Sequence, residues 1–303
     1  MELSVLRGIH IRELEAQNKS SETVRFYKQA YKELEGFFGE GHEVLSDLNL
    51  IRKHHILSVT EAMRQRGLTP GGQHAMLRGL RAIFNWAAEG EYLDVNPMTK
   101  VKLPSLPKKL MPAVQPDVAQ RALRLTDHDG KFRARNRAIL AVMYDTGLRL
   151  SEVAALELSD IDLRNGVLRV QKGKGDKERW VPFGSDVVRS LNKYLRTRRP
   201  MTEGEQALWL NHHGKPFTKW GVIQLLEGYA DQLKLDRSEL APHAWRRGFA
   251  VQYLRNGGDL FALQQLLGHT NLEMTRKYVQ YLNGDLKRAH TLISPMDRLR
   301  KEK

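Results

Sequence analysis

Six side chains between residues 149 and 278 of this 303-residue chain are of the types that could hold and break a phosphate ester. Arg149 lies in TGLRLSE, between a helix stop at Gly147 and the start of another helix. Lys174 lies in QKGKGDKER, with Lys172 and Lys177 beside it, on a glycine-containing turn that lets a backbone come close. His243 and Arg246 are three apart in PHAWRR and share one helical face, with Pro242 suited to the first helical position. His269 and Tyr278 lie in LGHTNLEMTRKYVQYL, after a break at Gly268. Taken singly, each has an ordinary explanation: a solvated arginine, a charged hairpin tip, a packed aromatic.

Taken together, they form a kit for phosphoryl transfer. Arginines grip non-bridging oxygens with forked hydrogen bonds and stabilise the charge of a five-coordinate phosphorus. A lysine or histidine can protonate the departing oxygen. A tyrosine can supply the nucleophile and form a covalent ester. Spacing alone does not establish that these residues meet. No metal and no cofactor is expected. The chain has no cysteine, which excludes disulfides, thiolate zinc sites and a cysteine nucleophile. Its 11 histidines form no HExxH-type spacing, and the adjacent pairs His54-His55 and His212-His213 are expected to point apart.

The formal net charge of +14 favours an anionic partner, and nucleic acid leads because basic side chains release counterions from phosphates. The charge is uneven. Residues 1–110 carry 16 Lys and Arg against 13 Asp and Glu, and the rest of the chain carries 33 against 22. There is no membrane-length apolar run and no signal-peptide pattern, and the lack of cysteine fits a reducing cytosol.

The elements that must position the six residues read as mainly α with a small β-sheet. Residues 21–38 have helical periodicity with Ser20 or Ser21 as cap; a second helix covers about 50–66; a third starts with Thr69 as cap and Pro70 in the first turn. That third helix has an apolar face through Met76, Leu77, Leu80, Ile83, Phe84 and Ala87, with Gln73, His74, Arg78 and Arg81 on the other side. Residues 96–116 carry five prolines and four lysines and read as an extended basic linker, its centre at 104–112. The second domain opens with DVAQRALRL and RNRAILAVMYDTG; Gly147 reads as a C′ stop and Ser151 as a cap for SEVAALEL. GVLRVQ and ERWVPF read as a hairpin around the basic turn. Helices follow at about 185–198, 218–233, 242–256, 259–267 and 271–282, the last presenting Tyr278.

TGLRLSEVAAL, the GKGDKER hairpin, HAWRR and LGHTNLEMTRKYV, in this order and approximate spacing, resemble the tyrosine recombinase (phage integrase) family. The resemblance is to its simple, Xer-like, two-domain members. It implies an N-terminal helical core-binding (SAM-like) domain over 1–103, a Pro/Lys-rich linker over 104–112, an α/β catalytic domain over 113–283 and a tail over 284–303. It implies site-specific DNA recombination through a 3′-phosphotyrosyl intermediate, without metal or ATP. By position, Arg149 and Arg246 would clamp the phosphate, Lys174 would protonate the 5′ oxygen, His243 would exchange a proton with the nucleophile, His269 would hydrogen-bond the phosphate and Tyr278 would attack it; Glu152 would support them. The sequence departs from the family where a histidine often follows the second arginine, since Arg247 and Gly248 stand there.

The resemblance further implies a clamp on double-stranded DNA and a homotetramer on synapsed sites. Gln73, His74, Arg78 and Arg81 would face DNA from the first domain, and Lys172, Lys177, Thr218 and Lys219 from the second. Leu286, Ala289, Leu292 and Ile293 in the tail would pack on a neighbouring subunit. The expected location is the cytoplasm, at the nucleoid. A topoisomerase of type IB, or a DNA-binding protein without catalysis, are the alternatives; a covalent protein–DNA adduct separates the second of these from the enzymes.

Overall fold

The computed structural model describes residues 1–39, 41–106, 110–171 and 178–282. Lys172, Lys174 and Lys177 and the tail residues Leu286, Ala289, Leu292 and Ile293 therefore lie outside the described residues. The chain divides into two compact units, Met1–Lys109 and Leu110–Lys303.

The first unit is helical: α1 Leu3–Ala16, α2 Ser21–Phe38, α3 Glu43–Ser46, α4 Lys53–Gln65 and α5 Pro70–Glu89. The caps are local chemistry. Ser20 Oγ accepts from the Thr23 N–H at 3.2 Å, and Thr69 Oγ1 accepts from the Gly72 N–H at 3.2 Å, with Pro70 in the first turn where its missing N–H costs nothing. Tyr31, Leu34, Ile56, Met63, Leu80 and Phe84 are among the side chains that close one core. Met98 and Val101 are buried in the same core, so the chain up to about residue 103 is packed rather than an extended linker, despite Pro97 and its lysines. The Asn96 side chain turns the chain there by accepting from the Met98 N–H at 2.8 Å.

The second unit holds α6 Pro116–Leu125, α7 Arg133–Thr146, α8 Leu150–Ala154, β1 Ile161–Asp162, β2 Val167–Val170, β3 Arg179–Pro182, α9 Ser185–Thr197, α10 Lys219–Leu233, α11 Arg237–Leu240, α12 Pro242–Arg255, α13 Leu260–Leu267 and α14 Leu272–Arg276. Helix α7 packs between α9 and α12, burying Ile139, Leu140, Val142 and Met143. The antiparallel sheet has the order β1-β2-β3, with Leu168 opposite Val181 on the buried face and Arg169 opposite Trp180. Strand β1 is too short to leave a periodic signal in the sequence.

Two expectations are corrected. Arg149, not Ser151, is the N-cap of α8: its backbone N–H donates to Glu152 Oε2 at 2.8 Å, and Leu150 already begins the helix. The 271–282 segment is not one helix. Asn271 caps α14, but α14 ends at Arg276, and Tyr278 sits in a turn before a 3-10 turn at Val279–Leu282.

Helix α7 ends where Gly147 turns left-handed, with φ 61°, and the next residue but one is Arg149. A Cβ on Gly147 would lie 2.2 Å from Phe249 Cδ1 and 3.0 Å from Leu267 Cδ2. Gly147→Ala thus combines a left-handed penalty of about 1–2 kcal/mol with an overpacking cost of about 1–3 kcal/mol. Denaturant unfolding of the full chain should show a loss of about 2–5 kcal/mol in the second unit. An unchanged midpoint would contradict this account of the turn.

Candidate active site

The site is built on two helix ends. Arg246 lies in the second turn of α12 and is only 4% exposed. Its Nη1 donates to the Gly147 carbonyl at 2.8 Å, and its Nη2 donates to the Leu267 carbonyl at 2.7 Å. These oxygens stand at the C-terminal ends of α7 and α13, where carbonyls lack helical partners and carry partial negative charge. The two helices end alike, since Gly268 after α13 is also left-handed, with φ 63°. Burial, then the charge of Arg149, lowers the Arg246 pKa to about 10, which leaves it protonated at neutral pH.

Arg149 joins from the start of α8. Its Nη1 donates to Glu152 Oε1 at 2.9 Å and its Nη2 to the Gly268 carbonyl at 3.1 Å. Glu152 also receives Arg179 from strand β3, Nη1 on Oε1 at 3.1 Å and Nη2 on Oε2 at 2.9 Å. Burial pushes the Glu152 carboxyl up, but the hydrogen bond and charge of Arg179, then those of Arg149, outweigh it and hold the pKa below the usual range. Arg179 Nε donates to the Leu266 carbonyl at 2.9 Å, which ties β3 to the end of α13. A Cβ on Gly268 would lie 2.9 Å from Arg179 Nη1, so the residue here must be small as well as left-handed.

His269 is buried beside them. Its Nε2 is 2.9 Å from Arg246 Nη2 and its Nδ1 is 2.9 Å from Thr275 Oγ1, itself fully buried. Burial, then the charges of Arg246 and Arg149, lowers its pKa to about 4. The Tyr278 ring is half-buried against the small apolar cluster of Phe249, Leu263 and Leu267 and lies parallel to His269, with centroids 6.1 Å apart and planes at 17°. His243 is exposed at the start of α12, and its pKa is lowered by partial burial and by the charges of Arg247, Arg246 and Arg149.

The structure thus gathers Arg149, Arg246, His243, His269 and Tyr278, with Glu152 behind the first arginine. It does not gather every residue singled out above. Gln73 is buried, not on an open polar face, and its Nε2 donates to the Leu68 carbonyl at 2.7 Å; Arg81 donates to the Val101 carbonyl. His74 is partly buried and Arg78 exposed on α5. Thr218 caps α10, accepting from the Gly221 N–H at 3.2 Å, and Lys219 is exposed in its first turn. Arg247 donates to the Pro112 carbonyl at 2.6 Å, and Gly248 leaves room for Val114, whose carbonyl would be 2.6 Å from a Cβ there. The adjacent histidines do not point apart, since ring centroids are 4.0 Å apart at His54-His55 and 3.7 Å at His212-His213. Even so, among the described residues no group of three or more His, Cys, Asp and Glu is placed to hold a metal, and no helix is long and apolar enough to cross a membrane.

Two residues of the cluster were missed, and both left a signal. Arg179 shares the inward face of β3 with Val181, an unusual place for a cation. Thr275 is three residues after Leu272 and three before Tyr278, a polar residue on the inward stripe of α14.

Guanidinium groups fixed on backbone carbonyls, a neutral imidazole and a phenol at one place can bind a phosphodiester and offer it a nucleophile. That is the chemistry of an enzyme that exchanges phosphate esters. A match to the phage integrase family spans residues 113–283. The tyrosine recombinase XerC of Pelotomaculum thermopropionicum is 32% identical over 240 residues, covering 77% of this chain and 78% of the relative. The tyrosine recombinase XerD of Listeria monocytogenes is 28% identical over 280 residues, covering 91% of this chain and 93% of the relative. Among solved structures, the Tn1549 transposon integrase in complex with a circular intermediate DNA superposes with a TM-score of 0.75 at 20% identity, covering 92% of this chain and 94% of that one. XerH recombinase bound to a difH substrate gives 0.72 at 21% identity, covering 93% and 82%. The chain belongs to the phage integrase family, as a Xer-like tyrosine recombinase, an enzyme of site-specific recombination.

The lowered pKa of His269 has a sign that can be checked. An unfolded chain binds this proton near pH 6.5 and the folded one only near 4, so protonation favours unfolding, and stability falls as pH drops from 6.5 toward 4. An NMR titration of the folded protein should find the His269 ring still neutral at about pH 5.5. A midpoint at 6.5 or above would overturn the assignment of its surroundings.

Proposed function

We propose that the protein breaks and rejoins double-stranded DNA through a covalent link to Tyr278. The observation that supports this most directly is the meeting of two arginines, His269 and Tyr278 from three separate segments of chain. In this reading, Arg149 and Arg246 hold the non-bridging oxygens of one phosphodiester. They stabilise the extra negative charge as the phosphorus becomes five-coordinate, work that metal ions share in other phosphoryl-transfer enzymes. The Tyr278 oxygen attacks the phosphorus, His243 takes the phenol proton and Lys174 protonates the departing 5′ oxygen. His269 donates a hydrogen bond to the phosphate. The product is a 3′-phosphotyrosyl ester and a free 5′ hydroxyl. A 5′ hydroxyl of the partner strand then attacks the ester, and the proton steps run in reverse. One phosphate ester replaces another, so bond energy is kept and no ATP is consumed.

The domains in this reading are a helical DNA-binding domain over 1–103, a linker over 104–112, a catalytic domain over 113–283 and a tail over 284–303. Arg78, His74, Thr218 and Lys219, with Lys172 and Lys177, contact the DNA. A homotetramer on two synapsed sites performs the exchange, and a DNA substrate places the enzyme at the nucleoid.

The test is trapping on a nicked duplex. Wild type should leave a protein–DNA adduct on a denaturing gel, and Tyr278→Phe should leave none. Arg246→Ala should slow adduct formation by about 10²–10³-fold or more, the scale for removing one charge-stabilising donor. Arg246→Lys should also be impaired, because an ammonium cannot make the forked contact. An adduct that survives Tyr278→Phe would end this reading. Removing residues 284–303 should weaken tetramer assembly while binding to a single site persists; unchanged assembly would rule out the tail as a subunit contact.

A further inference from the structure

The geometry points to Thr275 as a positioning residue, which lets His269 change the nitrogen that carries its proton when DNA binds. The inference rests on the reading of Tyr278 and the arginines given above. It starts from two hydrogen bonds that flank one ring. A guanidinium has donors and no acceptor, so the 2.9 Å contact from Arg246 Nη2 requires His269 Nε2 to be unprotonated. The neutral ring then carries its proton on Nδ1, which donates to Thr275 Oγ1 at 2.9 Å. The burial and the neighbouring cations keep a second proton off the ring.

In this state His269 cannot donate to a phosphate oxygen through Nε2. A bound phosphodiester alters the balance, because it offers Arg246 anionic oxygens as acceptors. Once Nε2 no longer receives the guanidinium N–H, it can reach the phosphate only as a donor. The ring therefore takes a proton from solvent water at Nε2 and gives the Nδ1 proton back to solvent, with no net change in charge. Nδ1 then becomes an acceptor in a buried place, where an unpaired polar atom is costly. A carboxylate or carbonyl behind the ring could not donate to it. A hydroxyl can, since its hydrogen rotates and it donates as readily as it accepts. Thr275 is fully buried on α14, so no water need stand in for it. The hydroxyl thus satisfies the ring in both forms and removes the penalty on the switch.

Three variants separate this from a packing role. Thr275→Val keeps the shape and loses the hydroxyl; Thr275→Ser keeps the hydroxyl. Single-turnover adduct formation on the nicked duplex should slow by about 10-fold or more in Thr275→Val, the scale for losing an outer partner that orients a histidine. Gel-shift affinity for DNA should stay unchanged, and Thr275→Ser should retain most of the rate. In Tyr278→Phe, nitrogen-15 NMR of the His269 ring should show Nδ1–H in the free protein and Nε2–H on DNA. Wild-type cleavage by Thr275→Val, or a ring whose protonated nitrogen does not change on DNA, would overturn the inference. An adduct formed by Tyr278→Phe would instead defeat the underlying function, so the two failures are distinct. The NMR measurement leaves Thr275 in place and does not depend on how its variants fold.

Discussion

The catalytic unit is organised around a cation held inside protein. Removing the Arg246 charge from water costs several kcal/mol even after relaxation. Charge-assisted hydrogen bonds return about 1.5–3 kcal/mol each, and two of them here end on carbonyls at helix C-termini, where the local field already favours a cation. Both carbonyls exist in this position because their helices stop at left-handed glycines. The guanidinium is therefore oriented before any ligand arrives. That is the condition under which a donor stabilises developing charge without reorganising first.

Three arginines in so small a space would repel one another without Glu152. Its carboxylate takes both nitrogens of the Arg179 fork, plus the side chain and backbone N–H of Arg149. One negative charge against three positive ones leaves an excess that suits the single charge of a phosphodiester. Arg179 also carries a mechanical role, because its third contact, to the Leu266 carbonyl, fixes β3 to the turn that bears His269. Electrostatic balance and positioning are thus one network. A change in the hairpin strand is felt at the histidine through a chain of named hydrogen bonds.

Features legible in the sequence were those fixed by short-range chemistry. Gly147 as a stop, Pro242 at the first helical position, Thr69 as a cap and the hairpin strands within residues 167–182 all depend on neighbours within a few positions. Features set by distant partners were not. Gln73 falls on the polar side of its helix by count, yet it is drawn inward by the Leu68 carbonyl. Met98 and Val101 sit among prolines and lysines that suggest a linker, but the first core has room for both. Arg135 is buried like Arg246, though slightly less so, and is sandwiched between the rings of Phe132 and Phe217; no local pattern separates the two arginines. What distinguishes them is where their N–H groups lead: Arg135 bonds Asn136 and Leu210, whereas Arg246 faces a histidine.

Packing does not bar Tyr278 from the nucleophile's role proposed for it, because its backbone leaves it in a short turn. The ring rests on Phe249, Leu263 and Leu267, which fixes one side of it. The residue itself lies beyond the end of a five-residue helix, too short to be stable alone, and its N–H reaches only the Thr275 carbonyl, at 3.0 Å. The strap is pinned on either side. Thr275 is fastened to His269, and the Tyr281 hydroxyl donates to the Met111 carbonyl at 2.6 Å. A continuous helix through 282 would have given every backbone group between those pins an internal partner and made any shift of the phenol expensive. Ending α14 at Arg276 leaves Tyr278 between two anchors in a single weak turn, where the apolar contact sets its resting place and few hydrogen bonds oppose a small displacement toward a bound phosphate.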